Sequence, residues 1–320
     1  MVAQNPSTAL SGGLIQRFRI ERHGLRGRLV RLGALVDGVL DRHGYPEPVA
    51  VMLGQTLALA AALADGLKYE GVFTLQTRGD GPVTLMVADV TSEGRIRGYA
   101  QYDRERLAAT LAAAPDGRIG DSVPQLLGAG HLAFTVDQGP ETERYQGVVE
   151  LSGSTLADCV HHHFRQSDQL DAAVKVAVGR AETDAGKQAW QAGAMMIQRL
   201  PGNPRANGPL RASFEESEEG WREAVVLMGS ATAAELIDPG IAPNVLLYRL
   251  FHEPGVRVYK PIPLNVGCRC SRQRVADMLR SFPRSRIEEL KIDGEVIVTC
   301  EFCATRYVFD EDLLAELYES

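Results

Sequence analysis

The sequence predicts an α+β protein: an antiparallel-sheet-containing N-terminal domain, a helical linker, and a small C-terminal domain organised by four cysteines. Three observations carry this reading. Alternating apolar and polar runs joined by short Gly-rich turns recur through the first two-thirds of the chain. An acidic segment with helix-capping signals follows a Pro- and Gly-rich break. Four of the five cysteines cluster near the end. A length of 320 residues fits about two domains at roughly 150 residues each. The boundaries expected from composition are 1–205, 206–264 and 265–320.

Each element follows from its local pattern. The basic run Arg17–Arg31 reads as two strands around Gly24, with one face in solvent. Residues 49–64, rich in Ala and Leu, form a buried helix that ends before Asp65-Gly66. Alternating runs at about 71–77, 82–89 and 94–102 make a β-meander, turning at Arg78-Gly-Asp-Gly81 and Thr91-Ser-Glu-Gly94. A helix near 103–113, strands near 131–137 and 144–151, a helix near 154–166 and apolar runs at 172–179 and 190–199 complete the domain. Sequential antiparallel strands with interspersed helices argue for α+β rather than a doubly wound sheet.

The break at Leu200-Pro-Gly-Asn-Pro opens the linker. Residues 213–238 hold Glu215, Glu216, Glu218, Glu219, Glu223, Glu235 and Asp238 against the single base Arg222. Ser213 with Glu216, and Thr232 with Glu235, fit capping boxes that satisfy the free amides of a first helical turn. Val225, Leu227, Met228, Leu236 and Ile237 can pack on a neighbour, and a further apolar helix follows Pro243. Short helices with like-charge repulsion are marginal by themselves, so neutralising Glu218 and Glu219 is expected to strengthen this segment.

Composition excludes several classes of function. Apolar residues make up 45% and charged residues 23%, as in ordinary globular proteins. A net charge of -7 disfavours nucleic acid as a main partner, since phosphate backbones are bound through cationic surface. The longest apolar stretch, Val49 to Leu63, is interrupted by Gly54, Gln55 and Thr56 and falls short of the ~20 residues a membrane span needs. The N-terminus has neither a basic start nor an apolar core of a secretory signal, so the expected compartment is the cytoplasm.

Cys268-x-Cys270, 29 intervening residues and Cys300-x-x-Cys303 match a tetrahedral all-thiolate zinc site. Soft thiolates suit Zn2+, and one ion per chain is expected. Ser271 can cap a helix after the first pair, Asp293-Gly294 can turn the chain into a strand that delivers Cys300, and Asp310 can cap a closing helix. The module has few apolar residues, so metal binding supplies its folding energy. With four protein ligands no position stays open for a substrate or an activated water, which argues against zinc hydrolysis. A purely structural ribbon and a redox switch both fit the spacing. Ribbons usually carry two Cys-x-x-Cys knuckles, and here Arg269, Arg272, Arg274 and Arg306 flank the ligands and are expected to favour thiolate. The partners within each close pair can form a disulfide without large rearrangement, and doing so in both would remove all four ligands at once.

These residues resemble those of the redox-regulated chaperone family, heat shock protein 33. Cys268-Arg-Cys270-Ser-Arg-Gln-Arg-Val and Cys300-Glu-Phe-Cys303-Ala-Thr-Arg-Tyr-Val-Phe-Asp carry the likeness. So do Gly24-Leu-Arg-Gly-Arg-Leu-Val-Arg-Leu-Gly, His43-Gly-Tyr-Pro-Glu-Pro-Val, Thr74-Leu-Gln-Thr-Arg-Gly-Asp-Gly-Pro-Val, Phe164-Arg-Gln-Ser-Asp-Gln, Gln198-Arg-Leu-Pro-Gly and Leu246-Leu-Tyr-Arg-Leu-Phe-His-Glu. The resemblance implies a chaperone that holds unfolding client proteins without ATP and is not an enzyme. It implies that the reduced, zinc-bound form is inactive. Oxidation would join Cys268 to Cys270 and Cys300 to Cys303, release zinc, unfold the linker and yield an active homodimer. Arg272-Gln273-Arg274 and the three histidines before Phe164 depart from the family pattern without touching the ligands.

Competing readings are blander. Cys159 and His163 would share a helix face, as in a second metal site or a Cys–His nucleophile, but a buried thiol with solvated histidines is the simpler account. Arg78-Gly-Asp-Gly81 lacks the ending of a phosphate loop and reads as a hairpin turn. Cys300-Glu-Phe-Cys303 lacks the βαβ setting of a thiol oxidoreductase. A constitutive zinc ribbon that binds a protein or nucleic-acid partner is the alternative to the chaperone.

Overall fold

The computed structural model describes residues 12–139, 142–164, 171–183, 186–199 and 214–318. The chain forms two compact units divided between Val266 and Gly267. The described part of the acidic linker packs within the first unit and makes no third body.

The first unit opens with the hairpin β1 (Gly13–Ile20) and β2 (Leu25–Arg31), which turns at Gly24 with a φ of 64° that favours glycine. Helices α1 (Gly33–His43) and α2 (Glu47–Ala64) follow. The expected meander is β3 (Val72–Gly79), β4 (Val83–Thr91) and β5 (Arg95–Tyr102). Arg78-Gly-Asp-Gly81 is the turn between the first two of these, where Asp80 Oδ1 accepts from the Ala129 amide at 2.8 Å. Then come α3 (Arg104–Ala113), α4 (Val123–Leu126), β6 (Gly130–Asp137), β7 (Tyr145–Glu150) and α5 (Leu156–His163). The runs near 172 and 190 are the long antiparallel pair β8 (Ala172–Glu182) and β9 (Gln188–Arg199). The linker supplies α6 (Phe214–Ser230), α7 (Ala233–Ile237) and α8 (Pro243–Phe251), and β10 (Val256–Val258) and β11 (Ile262–Val266) end the unit.

The strands of this unit join in one sheet of order β7-β6-β3-β4-β5-β11-β1-β2-β9-β8, with β10 also paired to β1. β11 pairs antiparallel with β1 and parallel with β5, so a late strand stitches two antiparallel halves together. Neither β10 nor β11 is legible in the sequence, nor is α1.

The sheet has two apolar faces because its strands alternate. Ile15, Val30, Ala194 and Met196 point into one core, while Phe18, Ile20, Leu29, Met195 and Ile197 point into another. α2 fills the first and is buried at every position from Met52 to Ala64. Its length and composition would suffice for a membrane span, contrary to the sequence expectation. Its hydropathy instead reflects burial in the fold, where the Thr56 hydroxyl and the Gln55 amide nitrogen find partners. Thr56 donates to the Met52 carbonyl at 2.8 Å, and Gln55 Nε2 donates to Asp121 Oδ2 at 2.7 Å.

α6, α7 and α8 cover the second face. Ala224, Met228, Leu236, Leu246, Leu247 and Phe251 pack onto it, and the Phe18 and Phe251 rings stack at 5.6 Å. The basic run is therefore only partly solvated. Arg17, Arg19 and Arg26 are exposed, but Arg28 and Arg31 are buried at 5% and 7% exposure.

The second unit comprises α9 (Arg272–Arg280), α10 (Arg284–Glu289), the hairpin β12 (Val296–Thr299) and β13 (Arg306–Phe309), and α11 (Glu311–Tyr318). Val275, Leu279, Ile287, Val296, Phe309, Leu314 and Leu317 make a small core of its own. The sequence understated this core. It is still slight for a domain of this size, which normally needs a metal or disulfide staple.

Candidate metal centre and the linker contacts

The four cysteines meet because two local structures present them. Ser271 caps α9, its hydroxyl accepting from the Arg274 amide at 3.2 Å, and this fixes the chain just after Cys268 and Cys270. Asp293 and Gly294, at φ 53° and 81°, turn the chain toward β12, which delivers Cys300. The Cys300 amide donates to the Thr305 carbonyl at 3.0 Å and the Ala304 amide donates to the Cys300 carbonyl at 2.8 Å, closing a tight turn that brings Cys303 back. Asp310 caps α11 through the Leu313 amide at 3.0 Å.

All four Sγ atoms lie within 4.8 Å of one another. Cys268 and Cys300 approach to 3.6 Å and Cys270 and Cys303 to 3.3 Å. A tetrahedral zinc with Zn–S bonds of ~2.3 Å needs edges of about 3.8 Å, so the quartet fits such an ion with small adjustments. The four thiols could thus hold a metal, and the donor set is soft. Each sulfur thus meets one of the other pair, and contacts within the pairs, Cys270 with Cys268 and Cys303 with Cys300, join them.

Burial raises the Cys270 thiol to about 12, although the Tyr307 hydroxyl, 3.1 Å from its sulfur, pulls the other way. Burial likewise raises Cys300. At Cys303 burial is outweighed by hydrogen bonding to Thr305, whose hydroxyl lies 3.2 Å from Sγ, and to the neighbouring sulfurs, which brings it down to about 6. Of the four arginines expected to do this, Arg272 and Arg274 have other partners. Arg272 donates to the Val308 carbonyl at 2.9 Å and lies over the Phe309 ring, and Arg274 donates to the Arg269 carbonyl.

Cys300-Glu-Phe-Cys303 follows a hairpin strand and opens no helix, so it lacks a thioredoxin-like setting. Cys159 is fully buried, and burial raises it to about 11, an inert thiol. The histidines beside it are not all solvated. His163 is buried and stacks on Phe134 at 4.3 Å, and His161 Nε2 accepts from the Val174 amide at 2.6 Å. Among the described residues no metal-type cluster forms around them.

The linker is pinned by polar contacts that patterning did not reveal. Arg31 Nη2 donates to the Glu235 carbonyl at 2.8 Å, and Nη1 donates to the Asp238 carbonyl. Glu218 pairs with Arg199 at 2.6 Å, and Glu223 lies 2.9 Å from His23 Nε2. Thr232 and Glu235 form the expected capping box, while Ser213 lies outside the described residues. Two of the acids that suggested repulsion, Glu218 and Glu223, therefore help to hold α6 down. Neutralising Glu218 removes an ion pair to the sheet, the reverse of the sequence expectation. Gly193 in β9 admits α7, since a Cβ there would stand 2.7 Å from the Leu236 carbonyl oxygen. A buried Arg within an otherwise alternating strand was the one signal available.

Comparison with known proteins agrees with this arrangement. The family described as Hsp33 protein matches residues 13–310. A protein named 33 kDa chaperonin from Caulobacter vibrioides is 41% identical over 306 residues, covering 95% of this chain and 97% of the relative. Its namesake from Azotobacter vinelandii is 36% identical, covering 95% and 93%. The crystal structure of the 33 kDa chaperonin of Thermotoga maritima superposes with a TM-score of 0.76 at 25% identity, covering 96% of this chain and 97% of that one.

Proposed function

The chain belongs to the Hsp33 family, whose members are chaperones, and on that premise we propose that it is a redox-switched holdase acting without ATP. In this reading Cys268, Cys270, Cys300 and Cys303 hold one Zn2+ in the reduced, resting protein. When bound, the ion supplies charge neutralisation and cross-linking to a unit whose own core is small. Oxidation joins Cys268 to Cys270 and Cys300 to Cys303. Each pair of thiolates loses two electrons to hydrogen peroxide: an S–S bond forms, the O–O bond breaks, and the oxygens take up two protons from solvent and leave as two waters.

The observation that carries the reading is the position of the linker. α6–α8 form the lid of a continuous apolar sheet face that holds Phe18, Ile20, Leu25, Leu29, Met195 and Ile197. β11 ends at Val266, two residues before Cys268, so loss of structure after Gly267 reaches the sheet along the chain. Undocking of the helices would free a surface suited to the exposed apolar segments of an unfolding client, and to a second copy in an oxidised homodimer. Cytoplasmic residence accords with thiols that must stay reduced at rest.

A second reading has one observation in its favour. The second unit has its own core, so it could keep its fold as a permanent zinc ribbon and bind a protein or nucleic-acid partner.

Light scattering from an unfolding client, without ATP, separates the two. The switch predicts suppression of aggregation by the oxidised protein alone, with about one zinc released per chain. Equal behaviour of both redox forms would remove the switch, and retained zinc after oxidation would favour the ribbon.

A further inference from the structure

The basic hairpin has a feature that redox switching does not use. Across β1 and β2, Arg17 stands directly opposite Arg28, and Arg19 directly opposite Arg26. Like charges so placed destabilise an antiparallel pair unless something offsets them. Asp65 offsets the first pair. Its carboxylate accepts from Arg17 Nη2 at 2.7 Å and from Arg28 Nε at 3.0 Å, and its side chain is 4% exposed. Among the described residues no carboxylate pairs with Arg19 or Arg26.

These arginines line a groove of about 740 Å³, which Lys68 and Lys260 extend. It gathers six basic groups around the single acid Asp65, in a chain whose net charge is -7. At Arg26, Arg28, Gly66 and Leu67 the groove shares its wall with a second cavity of about 450 Å³. That cavity is mainly apolar, walled by Leu63, Phe73, Phe134, Phe164 and Met196, with His163 and Gln198 also on its wall. The Arg28 side chain, 6% exposed, stands at the junction, where burial disfavours its charge. An apolar pocket of this size with a few convergent charged groups has the make-up of a small-molecule site.

We propose that the two cavities form one site for a single-chain amphiphilic anion. The chain lies between Phe73, Phe134 and Met196, and the head group takes the guanidinium donors of Arg26 and Arg28, with Arg19 beside them. A neutral chain would leave the opposed arginines uncompensated, and a bare anion would leave the pocket unfilled. Planar guanidinium groups bind carboxylates and phosphates alike, so a fatty acid or an alkyl phosphate meets the same chemistry.

Calorimetric titration of the reduced full-length protein with dodecanoate and with dodecyl phosphate, below their micellar concentrations, tests this. One saturable site is expected, and the tighter head group identifies the natural source. Acetate and inorganic phosphate are expected to bind at least about a hundredfold more weakly, because they lack the buried chain. Dodecyltrimethylammonium, and the variant Arg26→Glu with dodecanoate, are expected to lose about tenfold or more in affinity. Arg26 is exposed and stands opposite Arg19, so the change to Glu should not lower the thermal midpoint. Leu67→Glu, also at an exposed position, puts a carboxylate at the junction and should act alike. Equal affinity for the cationic chain, affinity unmoved in both variants, or no saturable binding would overturn the site.

Discussion

Replacing Arg31 with methionine isolates what one side chain contributes to holding the linker on the sheet. Its two bonds to the Glu235 and Asp238 carbonyls have a charged donor. Such bonds contribute ~1.5–3 kcal/mol each, or about 3–6 kcal/mol for the pair. Against this stands burial of the cation, which lowers the Arg31 guanidinium from 12.5 to about 10. At ~1.4 kcal/mol per tenfold change in proton affinity, that opposes docking by on the order of 3 kcal/mol. Methionine removes the bonds and the desolvated charge together while keeping most of the volume. The difference is about 0–3 kcal/mol, centred on about 1.5 kcal/mol, so the undocked population should rise by roughly tenfold. Hydrogen exchange of the reduced protein reads it out: amides of α7 and α8 should exchange faster by that factor, and those of β3–β6 should not change. Arg31→Lys, which keeps the charge but loses the two-pronged head, should not restore protection fully. Unchanged protection in α7 and α8 would refute the latch. Equal acceleration in β3–β6 would refute it as well, by showing a loss of global stability.

Three further outcomes are expected. Gly193→Ala should push α7 from the sheet, because the added Cβ meets the Leu236 oxygen at 2.7 Å and the Val30 oxygen at 3.3 Å. A loss of about 1–3 kcal/mol in denaturant unfolding, with faster exchange over 232–251, would bear this out, and a neutral effect would not. Hydrogen bonds from the Thr232 backbone and hydroxyl hold Glu235 below its ordinary 4.5. Its folded value is thus depressed, so its support for α7 is complete above about pH 4.5 and fades as pH falls through the lower folded value. Glu235→Gln should flatten that acid-side dependence in α7 exchange, and an unaltered profile would contradict the assignment. Cys159, raised to about 11 by burial and then by the Asp158 carboxylate, stays a thiol at neutral pH. Folding therefore loses stability as pH rises past the ordinary thiol value of 9. Native reduced protein should leave Cys159 unalkylated by iodoacetamide. Labelling at the rate of an exposed cysteine would count against its burial.

Much of the architecture was legible because it is written in short-range pattern. Period-two alternation marks β3, β4 and β5, and Thr232 with Glu235 marks the start of α7. Ser271 and Asp310 mark the helices around the cysteine quartet, and the ligand spacing itself survives in three dimensions. The errors arose where a local rule met a distant partner. Seven acids against one base looked like repulsion until Arg199 and His23 came to face Glu218 and Glu223. Arginines flanking the cysteines looked like thiolate stabilisers, yet Arg272 and Arg274 are spent on backbone carbonyls. Gln55 and Thr56 looked like breaks in an apolar helix, yet the fold buries both and gives the Gln55 amide nitrogen and the Thr56 hydroxyl acceptors.

By itself, then, the sequence determined most of the element types, the four-cysteine quartet and the family. Those depend on periodicity, on turn chemistry and on spacings of a few residues, each of which acts before the chain has folded. Only the tertiary structure decided that β11 joins the halves of one sheet, and that Arg31 reaches carbonyls 204 and 207 residues away. It also decided that Arg19 and Arg26 are left facing each other beside an apolar cavity. Such pairings are set by which surfaces must be buried together, and a linear pattern carries no term for that.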